Sequence, residues 1–144
     1  MLSQIGVRRV VFWQSQHSIP KPPYDKKLLK LKNLSIESAM QCGRESPIKV
    51  EILEKKEHFK SGLLETKSSI LLCSLKENSI SLKQAITDHS AYSFITGPEG
   101  DFSEEEINLF KLLEIQPITL GENVLKSDAA AVVAASMISA LTST

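Results

Sequence analysis

Two short segments limit the fold more than anything else in the chain: residues 69–74 (SILLCS) and 91–96 (AYSFIT) are nearly continuous runs of apolar and small side chains. A strand with one face in water alternates apolar and polar residues. A strand of a parallel sheet, covered on both faces by its crossover connections, does not. These two runs therefore predict buried parallel strands. Ile48, Val50 and Ile52 do alternate, with Lys49 and Glu51, and predict a strand with one face covered. Residues 7–13 (VRRVVFW), β-branched and aromatic after Gly6, predict another strand, reached from a helix that residues 1–5 only begin. Residues 117–120 (PITL) make a last short one.

Helical signals fill the intervals. Residues 25–42 carry apolar or small side chains at Leu28, Leu31, Ser35, Ala39 and Cys42, and Gly43 supplies a C-terminal stop. A short helix is expected to end near Gly62, and helical stretches are expected between the two apolar runs. Ser103 followed by Glu106 is a capping box, with Glu104 and Glu105 adding favourable charge in the first turn. Ser127 or Asp128 can cap a final helix. That helix includes residues 129–135 (AAAVVAA), which offer no polar face, so it should be buried in the core or in a subunit interface. Residues 14–23, with three prolines, must be loop. Strands alternating with helices give an α/β fold, and 144 residues suggest one core.

Composition narrows the function classes. Seventeen basic and seventeen acidic residues cancel, so the strong positive field of a typical nucleic-acid binder is missing and any RNA contact must be local. Lys21, Lys26, Lys27, Lys30 and Lys32 crowd together against only Asp25, which reads as a solvated helix face or a local RNA contact. Cys42 and Cys73 form no CxxC and have no nearby histidine, so no metal site is expected and both read as reduced core residues. The sequence shows neither a leader pattern nor a long apolar run before the last helix, which implies a soluble cytoplasmic protein without membrane contact. Trp13 reads as packing, His58 and His89 as surface residues, and His17 as an exposed loop histidine or an RNA contact.

Two loops hold the groups that could do chemistry. Thr96, Gly97, Pro98, Glu99, Gly100, Asp101 and Phe102 connect a buried strand to a capped helix, where open α/β sheets bind ligands. The glycines admit backbone close to a ligand, and Pro98 restricts the loop. A tight turn with no ligand is an equal reading of GPEG taken alone. The second loop, residues 120–128, also links a strand to a helix, so both loops should leave the same sheet edge and form a cleft. Asn123, Lys126, Ser127 and Asp128 are its polar groups, and Val124 and Leu125 could line an apolar pocket. These residues suggest a nucleotide-like ligand without naming a reaction. Neither GxxxxGK[ST] nor GxGxxG is present, which weakens other nucleotide-binding enzymes as rivals.

TGPEGDFSEEEI followed by ITLGENVLKSDAAAVVAASM resembles the C-terminal signature of the RsmE group of SPOUT RNA methyltransferases, approximately IGPEGGFSxxEI, then LGxRILRxETA and an alanine-rich helix. Residues 36–44 (IESAMQCGR) with Pro47 are similar to that family's EAxxQxxR, and Gln16, His17, Ser18 and Ile19 stand where it has ERSV. The resemblance runs through nearly the whole chain. It implies a parallel sheet flanked by helices with a deep C-terminal trefoil knot, and S-adenosylmethionine held mainly by backbone groups. The implied cofactor-binding residues are Leu72, Cys73, Thr96, Gly97, Pro98, Glu99, Gly100, Leu120, Gly121, Val124, Leu125 and Ser127. Gln41, Arg44 and Asn123 would face the substrate, small-subunit ribosomal RNA, and the enzyme would be a homodimer with the closing helix at its interface.

The implied reaction is methylation of uridine N3 in 16S ribosomal RNA. Lys126 would stabilise charge on the uracil oxygens, and Glu99 or Asp128 would take the proton or steady the sulfonium. Departures from the family pattern bear on this. Asp101 replaces a glycine, Asn123 and Lys126 each replace an arginine and Asp128 a glutamate, and the change at Asn123 removes a cation. The family also carries a β-barrel RNA-binding domain before the catalytic one. Residues 1–144 are therefore expected to be the catalytic domain without that barrel or the first strand. A catalytically impaired knotted module that binds RNA or the ribosome is the alternative.

Overall fold

The computed structural model describes residues 1–18, 24–74, 78–88, 91–98 and 100–143. Glu99, His89, Ile19, Lys21 and the prolines of the first loop lie outside the described residues. Where length suggests one core, the chain divides into two compact units, Met1–Gln14 with Pro20–Leu63 and Ser15–Ile19 with Leu64–Thr144.

The first unit is built on two parallel strands, β1 (Arg9–Trp13) and β2 (Lys49–Leu53), joined through the helix α1 (Tyr24–Cys42). Ala39 of α1, Ile48 and Val50 are buried, and the buried Ser35 hydroxyl donates to the Ile48 carbonyl at 2.7 Å. The predicted stop holds: Gly43 takes φ 71° and the Arg44 N–H returns to the Ala39 carbonyl at 3.0 Å, a Schellman closure. Helix α2 (Lys56–Glu65) follows, and its Phe59 stacks on Trp13 with centroids 3.8 Å apart, so Trp13 packs as expected. Cys42 is exposed, against its expected place in the core. It is the last residue of α1 and directly precedes the turn, where the helix leaves its packed face.

In the second unit, β3 (Ser69–Cys73), β4 (Ile80–Ser81), β5 (Tyr92–Ile95) and β6 (Gln116–Thr119) form one parallel sheet in the order β4-β6-β3-β5. The two apolar runs are thus β3 and β5, side by side. β4 and the one-turn helix α3 (Leu82–Ala85) occupy the interval expected to be helical; two strand residues are too few to show a period. Leu71, Leu82 and Ile118 form the core, with Met137 and Ile138 packed on it.

Helix α4 (Glu104–Leu112) starts at the predicted capping box, with both reciprocal bonds between Ser103 and Glu106 formed. It ends in a full Schellman motif, Ile115 N–H to Phe110 carbonyl and Glu114 N–H to Lys111 carbonyl, both at 3.0 Å. The residue in the left-handed position is Glu114, at φ 54°. A side chain there is strained, and the part of that strain not offset by glycine's larger unfolded entropy is about 0.5–1 kcal/mol. Glu114→Gly should therefore raise the urea midpoint of unfolding, and a lowered midpoint would show that the Glu114 side chain stabilises the turn.

Helix α5 (Ser127–Thr142) corrects the expected cap. Neither Ser127 nor Asp128 caps it. Lys126 is the N-cap and makes no side-chain cap bond, Ser127 is already helical, and the Asp128 carboxylate accepts from its neighbour, Ala129 N–H, at 2.8 Å. Within a single chain the helix is buried on one side, which is compatible with the expected choice between core and subunit interface. Ala130, Ala134 and Ala135 are enclosed, whereas Ala129 and Ser136 are exposed, because the core meets a single stripe of the helix.

Candidate functional site

Strand β3 lies between β5 and β6, and all three run parallel, so the loops that leave β5 and β6 emerge at one edge on either side of the end of β3. The two loops are joined directly: the Ser127 hydroxyl donates to the Gly97 carbonyl. The side chain that was expected to cap α5 instead ties the second loop to the first.

Packing explains why the first loop carries glycines. A Cβ on Gly97 would fall 2.9 Å from the Phe102 ring, which is itself buried and meets Phe110 edge-on at 5.0 Å. On Gly100, a Cβ would lie 3.0 Å from both the Cβ and the carbonyl oxygen of His17. A side chain at either position would force its neighbour to shift. Asp101 takes φ 62°, the conformation for which the family pattern has glycine, and its carboxylate accepts the Phe102 N–H at 2.8 Å.

Leu72 is buried and Cys73 half-buried at the end of β3. Desolvation pushes the Cys73 thiol up to about 12, so at neutral pH it is an uncharged wall rather than a nucleophile. Thr96, Gly97, Pro98 and Leu120 are half-buried, and Gly100 and Gly121 are exposed. Gly121 adopts φ 150° with open space around it. Val124 is 83% exposed and Leu125 39%, so two apolar side chains stand in the open beside backbone-lined loops. Asn123, Lys126 and Asp128 are exposed too. Tightly packed glycine positions, with uncovered apolar side chains beside them, suit a ligand that has a flat ring and several hydrogen-bonding groups.

Gln41 and Arg44 belong to the first unit. Gln41 is exposed, while Arg44 donates through Nη1 to the carbonyls of Ser3 at 3.0 Å and Val7 at 2.7 Å, closing the end of α1 onto the N-terminal turn. Among the described residues, no group of three or more His, Cys, Asp or Glu side chains could hold a metal ion, and no helix is long and apolar enough to cross a membrane.

One part of the site was not anticipated. Residues 15–18 wall the first loop through the buried Glu106 carboxylate, which accepts from the Ser15 hydroxyl at 3.0 Å and the Gln16 N–H at 2.9 Å. The ERSV-like match marks the segment but not this contact.

Residues 1–139 match the model of the RNA methyltransferase domain. The chain belongs to that family. This methyltransferase domain is 32% identical over 142 residues to the ribosomal RNA small subunit methyltransferase E of Helicobacter pylori (strain ATCC 700392 / 26695), covering 94% of the chain but 57% of that relative. A Legionella pneumophila protein described as a methyltransferase, solved with bound cofactor S-adenosylmethionine, superposes with a TM-score of 0.81 at 25% identity, over 96% of this chain and 57% of that one. The ribosomal RNA small subunit methyltransferase E of Neisseria gonorrhoeae, solved with S-adenosylmethionine, shares the fold at a TM-score of 0.78 and 22% identity, over 97% and 57% of the two chains. The methyltransferase domain thus spans little more than half the length of these relatives.

Proposed function

We propose that this chain carries the methyl-donor site of an enzyme that methylates small-subunit ribosomal RNA at uridine N3, using S-adenosylmethionine. The observation that carries the reading is the bond between Ser127 and Gly97, which brings together two loops at the C-terminal edge of parallel strands. Family membership and the methyltransferase relatives support it. Backbone of Gly97, Pro98, Glu99, Gly100, Leu120 and Gly121, together with Val124, Leu125 and Ser127, would hold the cofactor, with Leu72, Cys73 and Thr96 behind them. When bound, S-adenosylmethionine supplies an electrophilic methyl group on a sulfonium.

The rest falls to the protein's own groups. Uridine N3 becomes nucleophilic when it loses its proton, and Glu99 or Asp128 accepts it. The negative charge then spreads to the uracil oxygens, where the Lys126 ammonium stabilises it. Lys126 is exposed, and its backbone is fixed by the 2.7 Å bond from Ala130 N–H to its carbonyl. Gln41, Arg44 and Asn123 would contact RNA. The same reading carries a trefoil knot, a homodimer with α5 at its interface, and a cytoplasmic setting; the half-exposed apolar side of α5 supports the dimer.

The test is transfer of labelled methyl from S-adenosylmethionine to small-subunit ribosomal RNA, with the product nucleotide located by mass spectrometry. Label on uridine N3 is expected. Label on another base would overturn the N3 assignment, and RNA binding without cofactor binding would favour the impaired module.

A further inference from the structure

We infer that His17 is a positioning residue: its Nδ1–H holds the carbonyls of Gly100 and Asp101, and so fixes the first loop in the shape that receives the methyl donor. The inference rests on the reading of the two loops as a methyl-donor site. Nδ1 lies 3.2 Å from the Gly100 oxygen and 3.1 Å from the Asp101 oxygen. Carbonyl oxygens only accept, so the nitrogen between them must carry a hydrogen. Two successive carbonyl dipoles aimed at one point repel each other unless a donor sits there; the contact is exposed, and the imidazole takes the place that water would otherwise fill.

Both partners of this contact are held in place. On the loop side, a Cβ on Gly100 would meet the Cβ and the carbonyl of His17, so the two backbones touch. The Asp101 N–H donates to the Pro98 carbonyl at 3.0 Å while Asp101 keeps its left-handed φ of 62°. On the histidine side, Glu106 anchors Ser15 and Gln16, and the Ser18 N–H closes a turn onto the Ser15 carbonyl at 3.2 Å. A segment more than eighty positions away in sequence is therefore built into the wall of the loop. Its amino-acid chemistry is specific. A hydrogen-bond donor of this size is what the two carbonyls require.

Isothermal titration of the chain with S-adenosylmethionine in the absence of RNA tests this, because a histidine that only touches RNA cannot affect it. Asparagine places an N–H donor close to the position of Nδ1, whereas aspartate has the same shape but offers only acceptors. His17→Asn should bind within about twofold of the parent, and His17→Ala and His17→Asp roughly three- to tenfold more weakly, the range of one or two hydrogen bonds. In turnover, the weak variants should raise KM for the cofactor and leave kcat at saturation nearly unchanged. Thermal melts identify any variant unfolded at the titration temperature; should His17→Asp be one, the comparison of Ala with Asn decides. Equal affinity across the series, or Asn and Asp behaving alike, overturns the role of His17. A parent that does not bind the cofactor overturns the methyl-donor reading as well, so the two failures are distinct.

Discussion

Glu106→Ala should destabilise the protein by about 3 kcal/mol, on the order of a hundredfold in the folding equilibrium, because three donors lose their acceptor at once. The Glu106 carboxylate, 6% exposed, accepts from Ser103 N–H at 2.9 Å, Gln16 N–H at 2.9 Å and the Ser15 hydroxyl at 3.0 Å. Ser15 and Ser103 are themselves buried, so water cannot readily replace the lost partner. Stranding the buried Ser15 and Ser103 donors costs at least about 1 kcal/mol each and the more exposed Gln16 N–H less, and the capping box of α4 is lost with them. Relief of the carboxylate's own desolvation offsets part of this, which keeps the total near the sum of the donors alone. Glu106→Gln separates charge from geometry: one amide oxygen still accepts, while the amide nitrogen turns a donor toward another donor, so roughly half the loss is expected. Urea unfolding at constant m measures both. A loss below about 1 kcal/mol for the alanine variant would mean that residues 15 and 16 find other acceptors, and that Glu106 is only a local cap.

The same residue marks how far sequence can be read here. The capping box spans three positions and follows a local rule, so Ser103 and Glu106 were legible as a helix start. The attachment of residues 15 and 16 to the same carboxylate spans some ninety positions and follows no local rule. Strands β3 and β5 were legible from their unbroken apolar runs and β2 from its alternation, although β5 lies at the sheet edge and is mostly only half-buried, so its run overstates its burial. β4 was not, since two residues carry no period. The site loops could be placed at one edge from strand direction alone. The role of Ser127 could not: a serine near a helix start reads as a cap, and only the fold shows its hydroxyl turned to Gly97. His17 is exposed, as its reading as a loop histidine has it, but its contacts could not be read, as neither carbonyl partner has a residue-specific signature.

Lys126→Ser should produce opposite changes in stability and in activity. Lys126 is the N-cap of α5 and makes no side-chain cap bond, so it places a positive charge at the positive end of a helix dipole and leaves an N-terminal N–H without the usual side-chain acceptor. Serine supplies that acceptor and removes the like charge, and the folded state should gain about 0.5–1 kcal/mol, seen as a higher urea midpoint. A residue chosen for stability would not be lysine. Its presence at the mouth of the two loops is explained if its ammonium faces the charge that develops on the uracil oxygens. Removing one such charge-stabilising group typically slows the chemical step by about 10²–10³-fold, so single-turnover methyl transfer to small-subunit ribosomal RNA should fall by that order. Cofactor affinity should change little, because backbone groups dominate the proposed cradle. A variant that gains stability and keeps its rate would remove Lys126 from the chemistry and leave its place at the cap unexplained; one that loses stability would show that the ammonium is held by the fold rather than by the reaction.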